Sequence, residues 1–313
     1  MNASDRVLVR APATAANLGP GMDALGLALG LHNTFAFRLG GEAVVVEARG
    51  PGSAEVPAGA GNLAVVAFQS AREALGLPPV RGLHVACEVA VPPRGGLGSS
   101  ATAVVAGILA AEALAGASLT RTERHQLATH LEGHPDNVIP CCEGGLCVAL
   151  ASEGRAPTVL RALPEAPPAL VALIPRDLRL STAAMREVLP RQVPWRDAVR
   201  TAGCAALLVF ALLRGERGAL ATALDDRLHE PYRARCIPGF AEVRAAARAA
   251  GALGTVLSGS GPTLLVFGED AAHARAAAEA GRAAWAAAGV SADARPLPID
   301  GEGAEVVRVA PTE

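Results

Sequence analysis

The sequence predicts a chain of mixed strands and helices in two parts, a βαββαβ skeleton with further helices inserted. Three observations predict it. β-Branched runs alternate with Ala-rich helical stretches in the first half, a stretch with four prolines and no apolar periodicity divides the chain, and a strand–turn–strand with a long helix follows near the end. Element by element, VLVR at 7–10 and AVVVEA at 43–48 read as strands bounded by Gly and polar residues. Residues 62–75 read as a helix that stops before Gly76 and Pro78. LHVACEVAV at 83–91 alternates like a strand and runs into PPRGGLGSS, after which 99–115 read as a long helix. Thr120 and Glu123 have the spacing of a capping box for a helix running towards Leu131. The proline-rich stretch at 151–168 marks the boundary, giving parts 1–160 and 161–313. Beyond it come a buried strand at 169–174, helices near 182–189, 196–213 and 239–250, and the strand–turn–strand at 255–267. A helix at 270–288 and a closing strand near 304–309 end the chain.

Composition narrows the function. The 313 residues suffice for one large or two medium domains, and 51% hydrophobic with 19% charged residues is a globular balance. A formal net charge of -2 leaves no basic surplus to attract nucleic acid or anionic lipid. All 28 basic residues are arginine. Without lysine there can be no Walker A loop, no strand lysine of a protein kinase and no Schiff base. The six cysteines form no C-x-x-C pair and sit mostly in apolar surroundings, which suits buried thiols rather than zinc or disulfides. Asp5 and Arg6 stand where a signal peptide would build its apolar region, and the longest apolar run, around Ala205–Leu213, stops at Arg214. A soluble, reducing, cytoplasmic setting is expected.

The segment from Val91 to Ala101, VPPRGGLGSSA, lies between a strand and a helix. Gly95, Gly96 and Gly98 allow a tight curl, and Ser99 and Ser100 open a helix whose first N–H groups lack partners. Two readings are open from the residues: a cradle for a phosphate chain at a helix N-terminus, or a glycine turn with a serine cap.

Pro92-x-x-x-Gly96-Leu97-Gly98-Ser99-Ser100-Ala101 resembles the phosphate loop of the GHMP kinases (galactokinase, homoserine kinase, mevalonate kinase, phosphomevalonate kinase). The opening run from Pro12 through Thr14, Asn17, Gly19, Gly21 and Asp23 to Gly26 is similar to that of the homoserine kinases, with Met22 where Phe is usual. Glu132-Gly-His134-Pro-Asp136-Asn137, followed by Gly144 and Gly145, is similar to their central motif. Leu257-Ser258-Gly259-Ser260-Gly261-Pro262-Thr263 resembles the third glycine motif, with Ser260 where Ala is more usual. The resemblance spans residues 12–263 in order. It implies an α+β, two-domain GHMP-kinase fold, with an N-terminal domain carrying a left-handed β-α-β crossover and a ferredoxin-like C-terminal domain.

The same resemblance implies ATP and Mg2+ as cofactors and homoserine as the small-molecule substrate, phosphorylated on its side-chain hydroxyl in threonine biosynthesis. It lays the nucleotide along Pro92, Pro93, Arg94, Gly95, Gly96, Leu97, Gly98, Ser99, Ser100, Ala101 and Thr102, with Asn62, Ser258 and Gly259 on the same side. An ordinary N-cap is the competing role for Asn62. Ser100 and Glu132 match the metal ligands; the competing role for Glu132 is an exposed carboxylate at a helix end. Arg186 in STAAMREVLP and Arg233 in HEPYR match arginines that clamp the substrate carboxylate, a task for which a guanidinium fork is suited. Asp23 would face the ammonium, and Asn17, Asp136 and Asn137 lie near the amino and hydroxyl groups. His134 would line the same pocket, or else cap or pack.

Asn137 stands where several relatives carry an Asp general base, and Asn cannot accept a proton at neutral pH. Direct attack by the hydroxyl, with its proton passing late to a phosphate oxygen, is therefore expected, with Asp136 as a local base the second choice. Competing functions are a sibling kinase for another small alcohol and a nucleotide-binding regulator without catalysis. The opposed charges of Asp23, Arg186 and Arg233 speak against the first, and the intact loop and metal positions against the second. Neither nucleic acid nor a membrane is expected as a partner. A homodimer is compatible with the sequence, which does not specify oligomeric state.

Overall fold

Two strands open the chain, β1 (Arg6–Ala16) and β2 (Leu25–Leu39), antiparallel in the computed structural model, which describes residues 6–152 and 154–307. Their register shifts between Pro12 and Ala13, beside a proline that cannot donate to the ladder. The sequence reading has no counterpart to β2, for a physical reason. The first third of β2 is buried continuously and only Asn33–Phe37 alternates, so no single period marks the strand. β3 (Val44–Arg49) runs parallel to β4 (Leu83–Glu88), and α1 (Leu63–Ala74) crosses between them. β4 ends at Glu88 rather than at 91 because the Asn33 side chain takes over as acceptor for the N–H groups of Ala90 and Val91, each at 2.8 Å.

α2 (Ser99–Ala115) has the expected bounds and packs on α1. At Gly107 an added Cβ would lie 2.3 Å from the Ala64 carbonyl oxygen, so this close helix approach requires glycine. α3 (Arg121–Glu132) begins with the complete Thr120–Glu123 capping box, and α4 (Pro135–Glu143) follows after Gly133. β5 (Leu146–Ser152) pairs with the inner end of β2, and β6 (Arg155–Ala162) pairs with β5. The stretch 151–168 is thus not simply a linker, and a cut at residue 160 falls inside β6. Two causes hide this strand. Among the described residues β6 pairs with β5 alone, so half of its residues are exposed, and Pro157 sits at the irregularity where the register slips between Leu150 and Ser152.

A second sheet follows the connection at 163–168. β7 (Ala169–Pro175) is buried from its second residue on, and is followed by the helices α5 (Thr182–Glu187), α6 (Trp195–Arg214), α7 (Arg217–Ala223) and α8 (Glu230–Arg233). Then come α9 (Phe240–Ala249), β8 (Gly254–Leu257), β9 (Leu264–Gly268), α10 (Ala271–Ala287) and β10 (Ala292–Pro296). The strand order β10-β7-β9-β8, all antiparallel, with α9 and α10 packed on the sheet, is the ferredoxin-like arrangement. β11 (Glu305–Val307) returns to pair with β1, so the first sheet draws on both ends of the chain.

A core shared by both parts joins Leu18, Leu27 and Leu97 to Leu170, Leu208 and Phe267. Burial of this shared core fixes the two sheets relative to one another, and with them the loops that meet above it. No helix among the described residues is long and apolar enough to cross a membrane.

Candidate active site

The loop before α2 is held by its carbonyl groups. Thr263 N donates to Gly95 O at 3.2 Å, Ser258 Oγ to Gly96 O at 2.6 Å, and Thr14 N to Leu97 O at 3.0 Å. The N–H groups of residues 95–98 have no hydrogen-bond partner among the described residues, and no side chain caps α2. A turn that commits its carbonyls to the protein and keeps its N–H groups free, at the positive end of a 17-residue helix, is built for an anion. Gly98 enters the helix at φ +68, and an added Cβ would lie 2.0 Å from Thr14 Oγ1. Asn33 braces the assembly from beneath: besides accepting from Ala90 and Val91, its Nδ2 donates to Thr102 Oγ1 at 2.9 Å.

The loop opens onto a cavity of about 280 Å³. Of the expected nucleotide residues, Asn62, Pro93, Arg94, Gly95, Gly96, Gly98, Ser99, Ser100 and Gly259 line it. Pro92, Leu97, Ala101, Thr102 and Ser258 do not; they lie behind the loop, where Leu97 fills the shared core and Thr102 and Ser258 hold backbone. Asn62 is indeed the N-cap of α1, accepting from Ala64 N, while Nδ2 donates to Pro57 O at 2.8 Å.

All the expected residues at the other end reach the same cavity: Asn17, Asp23, Glu132, His134, Asp136, Asn137, Arg186 and Arg233. Ser100 Oγ donates to Glu132 Oε1 at 2.5 Å, which brings two hard oxygen donors together beside the loop. Burial raises the Glu132 carboxyl above its ordinary range, against the Ser100 hydrogen bond, and among the described residues no cationic side chain hydrogen-bonds to it. His134 occupies the N-cap position of α4 but does not cap it; Nδ1 contacts Asp136 Oδ1 at 2.6 Å. Burial works against the imidazolium, yet the hydrogen bond and charge of Asp136 outweigh it and raise His134 above its ordinary value. Thr14 Oγ1 donates to Asn137 Oδ1 at 2.7 Å, which fixes the amide plane.

Arg186 and Asp23 meet each other rather than waiting apart: Nη2 donates to Oδ1 at 2.7 Å and Nη1 to Oδ2 at 3.0 Å. Burial opposes ionisation of Asp23, but the bond and charge of Arg186 hold it below its ordinary range. Arg233 is only 2% exposed. Among the described residues it donates to neutral acceptors alone, Met185 O, His229 Nδ1 and Gly259 O, each at 3.2 Å. Burial lowers its basicity, with the Arg186 charge adding to the effect. Asn17 Nδ2 also donates to Gly259 O, at 2.8 Å, so the first and third glycine motifs are tied together. Asn17 and Asp23 hold positive φ angles of 67° and 56°, a conformation that Asn and Asp tolerate better than most residues. Sequence reasoning missed Thr14, Asn33 and His229, and Thr182, which lines the cavity with its Oγ1 3.4 Å from Ser260 Oγ. Thr14 and His229 stand inside the motifs already singled out, whereas Asn33 carries no sequence signal.

Two βαβ-based parts, a phosphate-type loop and a cavity with opposed charges at its far end define the GHMP kinase class. Family models agree: "GHMP kinases N terminal domain" matches residues 62–145 and "GHMP kinases C terminal" matches residues 209–287. The chain is 42% identical to a homoserine kinase of Synechococcus sp. over 302 residues, covering 95% of each. It is 41% identical to that of Trichormus variabilis over 305 residues, 97% of this chain and 100% of the relative. Among solved structures, homoserine kinase from Cytophaga hutchinsonii superposes with a TM-score of 0.87 at 28% identity, covering 97% of this chain and 98% of that one. Mevalonate kinase of L. major shares the fold with a TM-score of 0.71 at 17% identity, covering 94% and 96%. This chain belongs to the homoserine kinase family.

Proposed function

We propose that the chain transfers the γ-phosphoryl group of ATP to the side-chain hydroxyl of L-homoserine, giving O-phospho-L-homoserine for threonine biosynthesis. The observation that carries the reading is the joining, in one cavity, of an anion-binding loop to a pocket with charges of both signs. A zwitterionic amino acid needs both signs, and a neutral or purely anionic alcohol does not. The phosphates would lie on the free N–H groups of the loop, and homoserine between Asp23 and the two arginines. A reducing, cytoplasmic setting fits the six free cysteines.

Magnesium fits the residues present. Ser100 and Glu132 offer two hard oxygens, and among the described residues the Glu132 carboxylate has no cationic hydrogen-bond partner. Among the described residues no group of three or more His, Cys, Asp or Glu could hold a metal, so the protein would supply few ligands and phosphate oxygens and water the rest. When bound, the ion would neutralise phosphate charge.

For the chemical step, Asn137 orients the hydroxyl, its amide held by Thr14. Asp136 is 2% exposed and spends one oxygen on His134, which favours a binding role over that of a base. The hydroxyl then attacks phosphorus, the bond to the ADP oxygen breaks, and the proton passes late to a phosphate oxygen. The test is ADP release with magnesium across homoserine, serine, mevalonate and shikimate, with the product identified by phosphorus NMR. Homoserine should be preferred. A larger kcat/KM for an alcohol lacking the ammonium would overturn the reading.

A further inference from the structure

We propose that His229 is the positioning residue that aims Arg233 at the substrate carboxylate and locks it to the loop carrying Asp23. This rests on the homoserine kinase reading and adds to it a residue outside the cavity wall. His229 is completely buried. Its Nε2 lies 2.7 Å from Gly19 O, a carbonyl that can only accept, so Nε2 carries the proton. Its Nδ1 lies 3.2 Å from Arg233 Nη1, a group that can only donate, so Nδ1 is bare. The two contacts together fix one neutral tautomer. The charged groups around the ring are Asp226, whose Oδ2 lies 3.7 Å from Nε2, Arg233 itself, and Asp23 at longer range. Asp226 is occupied by the N–H groups of Leu228, His229 and Glu230, which set the start of α8.

The consequence for Arg233 is directional. Nε is held by Met185 O and Nη1 by His229 and Gly259 O, while Nη2 has no partner among the described residues. A planar fork fastened at two of its three nitrogens has one orientation, and the third is left for a carboxylate. The same imidazole grips Gly19, four residues before Asp23, so the two charges that must straddle one zwitterion are referenced to a single ring.

Two isosteres separate these bonds. In His229→Asn the amide oxygen falls near Nδ1 and can still accept from Arg233, but the bond to Gly19 is lost. In His229→Gln the amide nitrogen falls near Nε2 and can still donate to Gly19, but Arg233 loses its acceptor. Loss of a hydrogen bond to a charged group corresponds to about a ten- to hundred-fold change. We expect His229→Gln to raise the KM for homoserine by about that factor, His229→Asn to raise it several-fold less, and neither to move the KM for ATP. With 2-amino-1,4-butanediol, which lacks the carboxylate, the difference between the two variants should disappear. Equal homoserine KM values in both variants, or a difference between the variants that persists undiminished with the diol, would overturn the proposal. In the wild type, 15N spectra of histidine-labelled protein read the tautomer without any variant, and an Nδ1-protonated or doubly protonated ring at neutral pH would also overturn it. Should the wild type itself fail to phosphorylate homoserine, the functional reading fails instead.

Discussion

Arg233 and Arg186 are both assigned to the substrate carboxylate, yet their surroundings predict unequal losses. Arg233 is buried and hydrogen-bonded to neutral acceptors only, so its charge has no direct partner until an anion arrives. Truncating one member of such a desolvated pair costs about 2–5 kcal/mol, roughly 30- to several-thousand-fold in kcat/KM. Arg186 already holds Asp23 bidentately, with side chains 39% and 41% exposed. On the proposed reading homoserine would break that pair, giving its ammonium to Asp23 and its carboxylate to Arg186. The exchange replaces one half-exposed ion pair by two, a net gain of one such pair, worth about 1 kcal/mol or roughly fivefold. Arg233→Ala should therefore lose far more kcat/KM for homoserine than Arg186→Ala. Steady-state kinetics with each substrate varied is the assay, with the KM for ATP as the control for general damage. A loss in Arg186→Ala equal to or greater than that in Arg233→Ala would refute the exchange argument.

Three further outcomes are expected. Glu132→Gln should fold and bind homoserine but lose turnover, because a charge that on the proposed reading would face magnesium is gone; near-normal rates with magnesium would assign the ligand elsewhere. Asn137→Ala should lower kcat without altering the shape of the pH profile, and Asp136→Asn should weaken homoserine binding more than single-turnover chemistry. A fall of several orders in that chemical step, with loss of the acidic limb, would make Asp136 a base. Glu143 is held down to about 2 from its ordinary 4.5 by the His125 hydrogen bond, with Arg121 helping against burial. A depressed folded-state pKa stabilises fully above the unfolded value, so this contribution, at most about 3 kcal/mol, is present above pH 4.5 and lost as pH falls towards 2. Denaturant unfolding of Glu143→Gln should show a deficit at pH 5 that disappears near pH 2; a deficit that persists there is not electrostatic.

Local signals made much of this molecule legible. α2 begins where Ser99 follows Gly98 and stops at Gly116, and the Thr120–Glu123 box starts α3, because capping depends on residues within one turn. The convergence of the glycine motifs was readable only through resemblance, since Asn17 and Gly259 are 242 positions apart. What stayed hidden depends on tertiary surroundings. β2 changes from full burial to alternation along its length, and β6 is an edge strand interrupted by proline. The Asp23–Arg186 pair was hidden for another reason: both residues were identified, but each was assigned to the substrate, and unliganded charges of opposite sign within reach find each other.

The lack of lysine divides the cavity by charge. At the loop end the free donors are backbone N–H groups, and Arg94 stands on the loop. At the other end Arg186 and Arg233 supply positive charge, and a guanidinium, unlike an ammonium, stays protonated when buried. No lysine amine is therefore at hand to exchange a proton at either end, where the titratable side chains are carboxylates and His134, which fits a reaction driven by positioning and charge. The same contrast gives a test of the fork. Arg233→Lys keeps the charge, but an ammonium is a single point with three donors and cannot reach Met185 O, His229 Nδ1 and Gly259 O while also meeting a carboxylate. Its homoserine kcat/KM should fall nearly as far as that of Arg233→Ala, with the KM for ATP unchanged in both. Recovery of Arg233→Lys to within a few-fold of the wild type would mean that charge alone suffices and that the fastened geometry around Arg233 is not what selects the substrate.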